Sequence, residues 1–353
     1  MHMTDALLAP AVAAAMYVAS GTAAAISIHK LRKDDEPQKL PVMAVSAALV
    51  FAGQMINYAI PGTGSSGHIC GGMLLAAILG PEAGFLSMIA ILTIQCLFFA
   101  DGGLLALGAN IWNMAFYGCF VGYYLVWRPL LRGKAPNAGK NSLRLRITLA
   151  SILGCVLSLQ LGAFSVVLET SLSGITDLPF AAFCGVMQPI HLAIGLIEGV
   201  ITAALLIFIS EARPRLLQDI DTEKTGSRYS LRATLLVLAA VAAVTAGGLS
   251  LLASDKPDGL EWSLFGGGGQ YSENMGLDEE NYGLTGPAAD KAAAIQEGTA
   301  IMPDYADREN TAAGTGKAGL IGGALVALAA ALIYILGRLG RRKKDPGEEG
   351  SNE

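Results

Sequence analysis

No charged side chain occurs from Ala6 to Ile28. As a helix that run is long enough to cross a bilayer's hydrocarbon core, which takes about 20 residues. Few folds accept such a stretch, because a backbone in lipid must satisfy its own N–H and C=O groups. Similar runs recur along the chain, which is 53% hydrophobic and only 15% charged, with a mean hydropathy of +0.50. Soluble domains carry about 25% charged residues. The expected fold class is an all-α polytopic membrane protein, with the lipid bilayer as a partner and no nucleic acid.

Seven apolar spans are read at residues 6–28, 40–60, 71–79, 85–99, 104–127, 147–168 and 179–209. The third is short and makes a crossing only when extended back to His68, so part of it is expected inside protein. Basic residues cluster at His29-Lys30-Leu31-Arg32-Lys33, across 128–146, at Arg213-Pro214-Arg215, and at Arg338 with Arg341-Arg342-Lys343-Lys344. The positive-inside rule puts all four in the cytoplasm under one topology, with the N-terminus outside. Residues 1–27 hold no Lys or Arg, so an uncleaved first helix is expected and not a signal peptide.

A polar stretch then marks a boundary. The division read is a seven-helix domain at 1–215, a cytoplasmic linker at 216–230 and a two-helix module at 231–353. The module's spans are 231–253 and 318–336, and its acidic, Gly- and Ala-rich loop at 254–317 is expected outside, with little core of its own.

Chemistry concentrates at Met1-His2. The α-amine, the His2 amide and the His2 imidazole close five- and six-membered chelate rings on one ion. A flat set of nitrogens suits Ni(II) or Cu(II), and imidazole also suits Co. A fourth nitrogen is expected from His68, in the uncharged loop Gly62-Thr63-Gly64-Ser65-Ser66-Gly67-His68 on the same predicted side.

His191 lies within an apolar span and reads as a residue that supports ligands or a helix, in preference to a direct ligand. Acceptors for ligand ring nitrogens are sought among Asp101, Asn110, Asn113 and Gln188. Glu198 follows His191 by seven residues on one helix face and reads as a structural hydrogen-bonding group before a proton relay. Asp5 reads as a helix cap, and Trp127 as an interfacial anchor beside Arg128. The five cysteines stand singly, with no CxxC pair, and read as packing residues. Neither H-E-x-x-H nor a phosphate-binding G-x-x-x-x-G-K-[ST] loop is present, and the chain is read as a non-enzyme without a resident cofactor.

Several motifs resemble one family in order: Met1-His2-Met3-Thr4-Asp5-Ala6-Leu7-Leu8, Gly67-His68-Ile69-Cys70-Gly71-Gly72, Leu79-Gly80-Pro81-Glu82, Asp101-Gly102-Gly103-Leu104, Leu107-Gly108-Ala109-Asn110, Asn113-Met114 and Gln188-Pro189-Ile190-His191. They look like the CbiM/NikM substrate-specific components of energy-coupling factor (ECF) transporters. Pro257-Asp258-Gly259-Leu260-Glu261-Trp262 resembles the PDGLE motif of the small CbiN/NikN subunit, fused behind. The resemblance implies import of Co2+ or Ni2+, with the ion held by Met1, His2 and His68. It also implies separate partners: a CbiQ/NikQ-like coupling membrane protein and CbiO/NikO-like ATPases. Ala44, Ala48 and Ala52 put small residues on one face of the second span; in the wider class such a face meets the coupling protein, and ordinary alanine-rich helix packing is the equal alternative. A stand-alone secondary metal carrier and, behind it, a vitamin-type ECF component are the alternatives.

Overall fold

The structure, a computed structural model, describes residues 1–33, 36, 38–132, 140–176, 178–220, 227–265, 286–307 and 312–339. The basic cluster at 341–344, much of the 128–146 loop, and parts of the linker and of the acidic loop lie outside the described residues. Helices dominate: α1 (Pro10–Leu31), α2 (Lys39–Gln54), α3 (Gly72–Leu79), α4 (Pro81–Phe99), and α5, formed continuously by Leu107–Asn110, Ile111–Trp127 and Arg128–Arg132. After these come α6 (Lys140–Ser173), α7 (Phe180–Ala212), α8 (Leu231–Gly247), α9 (Gly259–Phe265), α10 (Pro287–Thr299) and α11 (Ala312–Leu339). Among the described residues, five helices are long and apolar enough to cross a membrane: α1, α4, α6, α7 and α11. Helices α2 and α8 are apolar but shorter.

The short third span is a buried half-helix. All eight residues of α3 are buried, and side chains from elsewhere satisfy both of its ends. The Glu198 carboxylate accepts the Cys70 N–H (2.8 Å) and the Gly71 N–H (2.9 Å) just before its first turn. Negative charge there also suits the helix dipole. At the other end Gln218 donates its backbone N–H to Ala77 O (2.9 Å) and its side-chain amide to Ile78 O (3.2 Å). Residues 216–218 are therefore packed structure, although the sequence reads as linker. Trp127 donates to Gln218 O and is fully buried, so it is not the interfacial anchor its neighbour Arg128 suggests.

Four further expectations are corrected. The second span stops at Gln54, and Tyr58–Ala59 then pairs antiparallel with Ser66–Gly67, so the fold is not purely helical. The Pro61–Gly64 stretch turns the chain, with Gly62 and Gly64 at positive φ. The fifth span begins at Leu107 and runs beyond Trp127 to Arg132. The small-residue face of α2 packs on α8 and α11 of the C-terminal module. Gly322 lets α11 approach there, since a Cβ at that position would run into the Phe51 ring. Lastly, the described parts of the 254–317 region, expected to have little core of their own, pack against the first domain. Leu260 and Leu264 of α9 are buried, and α10 donates from Gln296 Nε2 to Cys96 O (2.9 Å) and Gly102 O (2.7 Å).

Candidate metal site

The first eight residues enter the bundle, with Met1, Met3, Leu7 and Leu8 in the core and Thr4 exposed. Asn110 clamps the Met3 backbone: its Oδ1 accepts the Met3 N–H (2.8 Å) and its Nδ2 donates to Met3 O (3.0 Å). Gly103 N–H also donates to Met3 O (2.9 Å). Only glycine suits that position, because a Cβ there would meet the Asp5 carboxylate. Asp5 Oδ1 accepts the Ala106 N–H (2.9 Å). Asp5 thus serves the turn before α5, whereas α1 starts at Ala9-Pro10.

Three expected residues converge. The His2 and His68 rings stack with centroids 5.3 Å apart. An ion about 2.0–2.1 Å from one nitrogen of each ring fits that spacing. His68 Nδ1–H donates to Ile69 O (2.9 Å), which leaves Nε2 as the nitrogen with a free lone pair. Met1, His68, His191 and Asp258 line a small cavity of about 10 Å³, room for one water-sized sphere.

Asp258 is the site residue that sequence reading missed. Its Oδ2 accepts from the Met1 amine at 2.5 Å. Its Oδ1 accepts the Leu260 and Glu261 N–H groups (2.8 and 2.9 Å) at the start of α9, as N-capping residues do. Ser66 N–H and Oγ bond to Pro257 O (2.8 Å) and Lys256 O (2.7 Å). These bonds dock the C-terminal module on the loop that carries His68. The motif was visible as a family marker, but nothing local linked it to residue 1.

Burial alone would raise the Asp258 carboxyl. The Met1 ammonium and the α9 amides reverse this and hold it well below the usual carboxylate range. Burial opposes the Met1 ammonium, but Asp258 outweighs it and the amine's pKa is raised. Burial, then the Met1 charge and His2, push the His68 imidazole down to about 4. His68 is therefore neutral and ready to ligate at neutral pH.

Of the proposed supporting residues, Asp101 touches a ligand: its Oδ1 lies 3.2 Å from His2 Nδ1. Tyr305 of the C-terminal module donates to Asp101 Oδ2 (2.6 Å). The other ring nitrogen, His2 Nε2, faces Gln95 Oε1 at 3.2 Å. His191 donates Nδ1–H to Met187 O (2.8 Å), and its buried Nε2 has no partner among the described residues. Asn110 acts on Met3, as does Asn113, whose Nδ2 reaches Met3 Sδ (3.7 Å) and Glu169 Oε2 (2.7 Å). Gln188 does not reach the site. It exchanges hydrogen bonds with Gln160 between α6 and α7, beside Pro189, which lies inside the continuous helix. Among the described residues no three His, Cys, Asp or Glu side chains form a metal cluster.

Fold and site together define a multi-pass helical membrane protein with a buried, nitrogen-rich site at one end of its bundle. Residues 2–216 match the family model CbiM, a cobalt uptake substrate-specific transmembrane region, and residues 232–339 match the PDGLE domain. A protein of Archaeoglobus fulgidus, named provisionally as the fused nickel transport protein NikMN, is 35% identical over 92% of this chain and 95% of its own. The cobalt transport protein CbiM of Sorangium cellulosum is 32% identical over 56% of this chain and 85% of its own. A crystal structure of a truncated transition metal transporter covers 60% of this chain and 99% of its own, at 31% identity and a TM-score of 0.51. The chain belongs to the CbiM/NikM family, fused to a PDGLE (NikN-like) module, and is a metal-ion transport component.

Proposed function

We propose that this chain captures Co2+ or Ni2+ for an ATP-driven ECF transporter. The observation that carries the reading is the meeting of Met1, His2 and His68: the His2 and His68 rings stack 5.3 Å apart, and Met1 and His68 line one small cavity. The ligands are the Met1 amine, the His2 amide nitrogen, His2 Nδ1 and His68 Nε2. Nδ1 is the ring nitrogen that closes a six-membered chelate with the His2 amide. A coordinated amine keeps N–H groups, and the Asp258 carboxylate and the unpartnered His191 Nε2 accept them. Asp101 supplies negative charge beside His2. Gln188 has no part in binding.

The topology proposed is seven helices plus two, with the site facing outside and the basic ends cytoplasmic. The domains are those read from the sequence, at 1–215, 216–230 and 231–353. Support comes from Lys30, Arg128, Arg132 and Arg144, whose partners Glu82, Asp219 and Glu211 lie at the bundle end away from Met1. ATP hydrolysis belongs to separate ATPase subunits, coupled through a CbiQ/NikQ-like membrane protein. The relatives' names support both nickel and cobalt as cargo.

Equilibrium binding of Ni2+ and Co2+ to the purified full chain, beside His68→Ala, tests the site. One ion per chain, lost in the variant, is expected; equal binding by both chains rejects it. Uptake in cells that persists without partner ATPases rejects the ATP-driven reading.

A further inference from the structure

Both ring nitrogens of His2 face hydrogen-bond acceptors, Asp101 Oδ1 on Nδ1 and Gln95 Oε1 on Nε2. A neutral imidazole has one N–H, so its tautomer decides which nitrogen is open to an ion. The six-membered chelate needs Nδ1 open. A carboxylate is the stronger acceptor, so left to these two contacts the proton sits on Nδ1 and the site is blocked.

A chain of buried amides opposes this, and its direction is fixed at its far end. Gln95 Nε2 lies 2.8 Å from Gln54 Oε1, and Gln54 Nε2 lies 2.7 Å from Cys70 O. A backbone carbonyl can only accept, so Gln54 must turn its NH2 to Cys70. Gln54 then presents its oxygen to Gln95, and Gln95 must donate in turn. That leaves the Gln95 oxygen facing His2, which satisfies it only with a proton on Nε2. Both glutamines are buried, so water does not offer a substitute partner.

We infer that Gln95 and Gln54 are positioning residues: a one-way amide relay from Cys70 O that keeps the proton on His2 Nε2 and leaves Nδ1 open for the metal ion. The relay also joins the two halves of the site, because Cys70 follows His68 by two residues and its N–H is held by Glu198. The inference rests on the metal-site reading above.

The test uses the full chain, metal-free, labelled with 15N-histidine, at a pH where the imidazoles are neutral. Only four histidines contribute, and His2→Ala assigns the signal. Expected is His2 with its protonated nitrogen at Nε2. In Gln54→Leu, which removes a residue that touches no ligand, the proton moves to Nδ1 and Ni2+ affinity falls by about 10- to 100-fold, the usual cost of losing an outer partner. Gln95→Leu gives the same shift. A wild-type His2 protonated at Nδ1 overturns the inference, even if both variants misfold. Ni2+ binding that is lost in His68→Ala but unchanged in Gln54→Leu, with an unmoved tautomer, overturns the relay and leaves the site standing. A wild-type chain that binds no Ni2+ rejects the site reading, and the relay with it.

Discussion

The first eight residues and the Pro257–Phe265 stretch make an instructive pair. Both are non-spanning segments at the same end of the bundle, and they meet at the 2.5 Å contact between the Met1 amine and Asp258. The N-terminal segment announces its chemistry locally, since amine, amide and imidazole belong to adjacent residues. The C-terminal one does not: Asp258 looks like the N-cap it also is, and its second role exists only after a fold joins positions 257 residues apart. Chelation inside a dipeptide is a property of sequence, whereas a counter-ion is a property of packing.

Their difference is sharpest in response to pH. The Met1 amine has a raised pKa, and the ion needs it unprotonated. Affinity for Ni2+ should rise with pH by about a hundredfold per unit below that raised value, where binding displaces one proton from the amine and one from the His2 amide, and by about tenfold per unit above it, where only the amide proton is displaced. His68 adds nothing to this slope near neutrality, since its pKa lies near 4. Competition binding across pH 6 to 9 checks the slope. The same shifts act on the metal-free fold with definite signs. The amine's contribution is present below its ordinary value near 8 and lost only as pH climbs through the raised one. The contribution of Asp258 is present above the ordinary carboxylate range and lost as pH falls through its depressed value.

Asp258→Asn keeps a good N-cap but removes the charge that opposes burial at Met1. The pH at which the slope of affinity breaks is expected to move lower, with weaker Ni2+ affinity above the break. An unmoved break reduces Asp258 to a cap. Tyr305→Phe, which deletes the 2.6 Å bond to Asp101, should weaken binding by at most about tenfold, read by the same titration. Gln188→Leu should leave affinity unchanged and lower thermal stability slightly. It removes a side chain from the Gln160 exchange, where a hydrogen bond is worth about 0.5–1.5 kcal/mol net.

Hydropathy made most of the helices readable, because lipid leaves the backbone little choice. It misjudged places where the chain stays inside protein. Helix α3 survives because Glu198 and Gln218 satisfy its ends, and no sequence spacing reports that. Residues 55–60 are apolar enough to extend a span yet form half of a two-residue strand pair. At the site, His2 and His68 were legible as nitrogen donors in uncharged surroundings. Gln54 and Gln95 were not, since each is one amide in an apolar helix and gains meaning only from the other. Gln188, which sits next to a motif proline, drew notice for its neighbours and proves to serve the contact between α6 and α7.

The central claim is that the amine of residue 1 is a ligand. The most direct measurement compares Ni2+ and Co2+ affinity of the purified chain with a free Met1 amine with that of the same chain acetylated at Met1. The account predicts one tightly bound ion in the first and affinity lower by about 100-fold or more in the second, because an acetylated nitrogen is no longer an amine donor and the five-membered ring loses it. Undiminished affinity in the acetylated chain contradicts it.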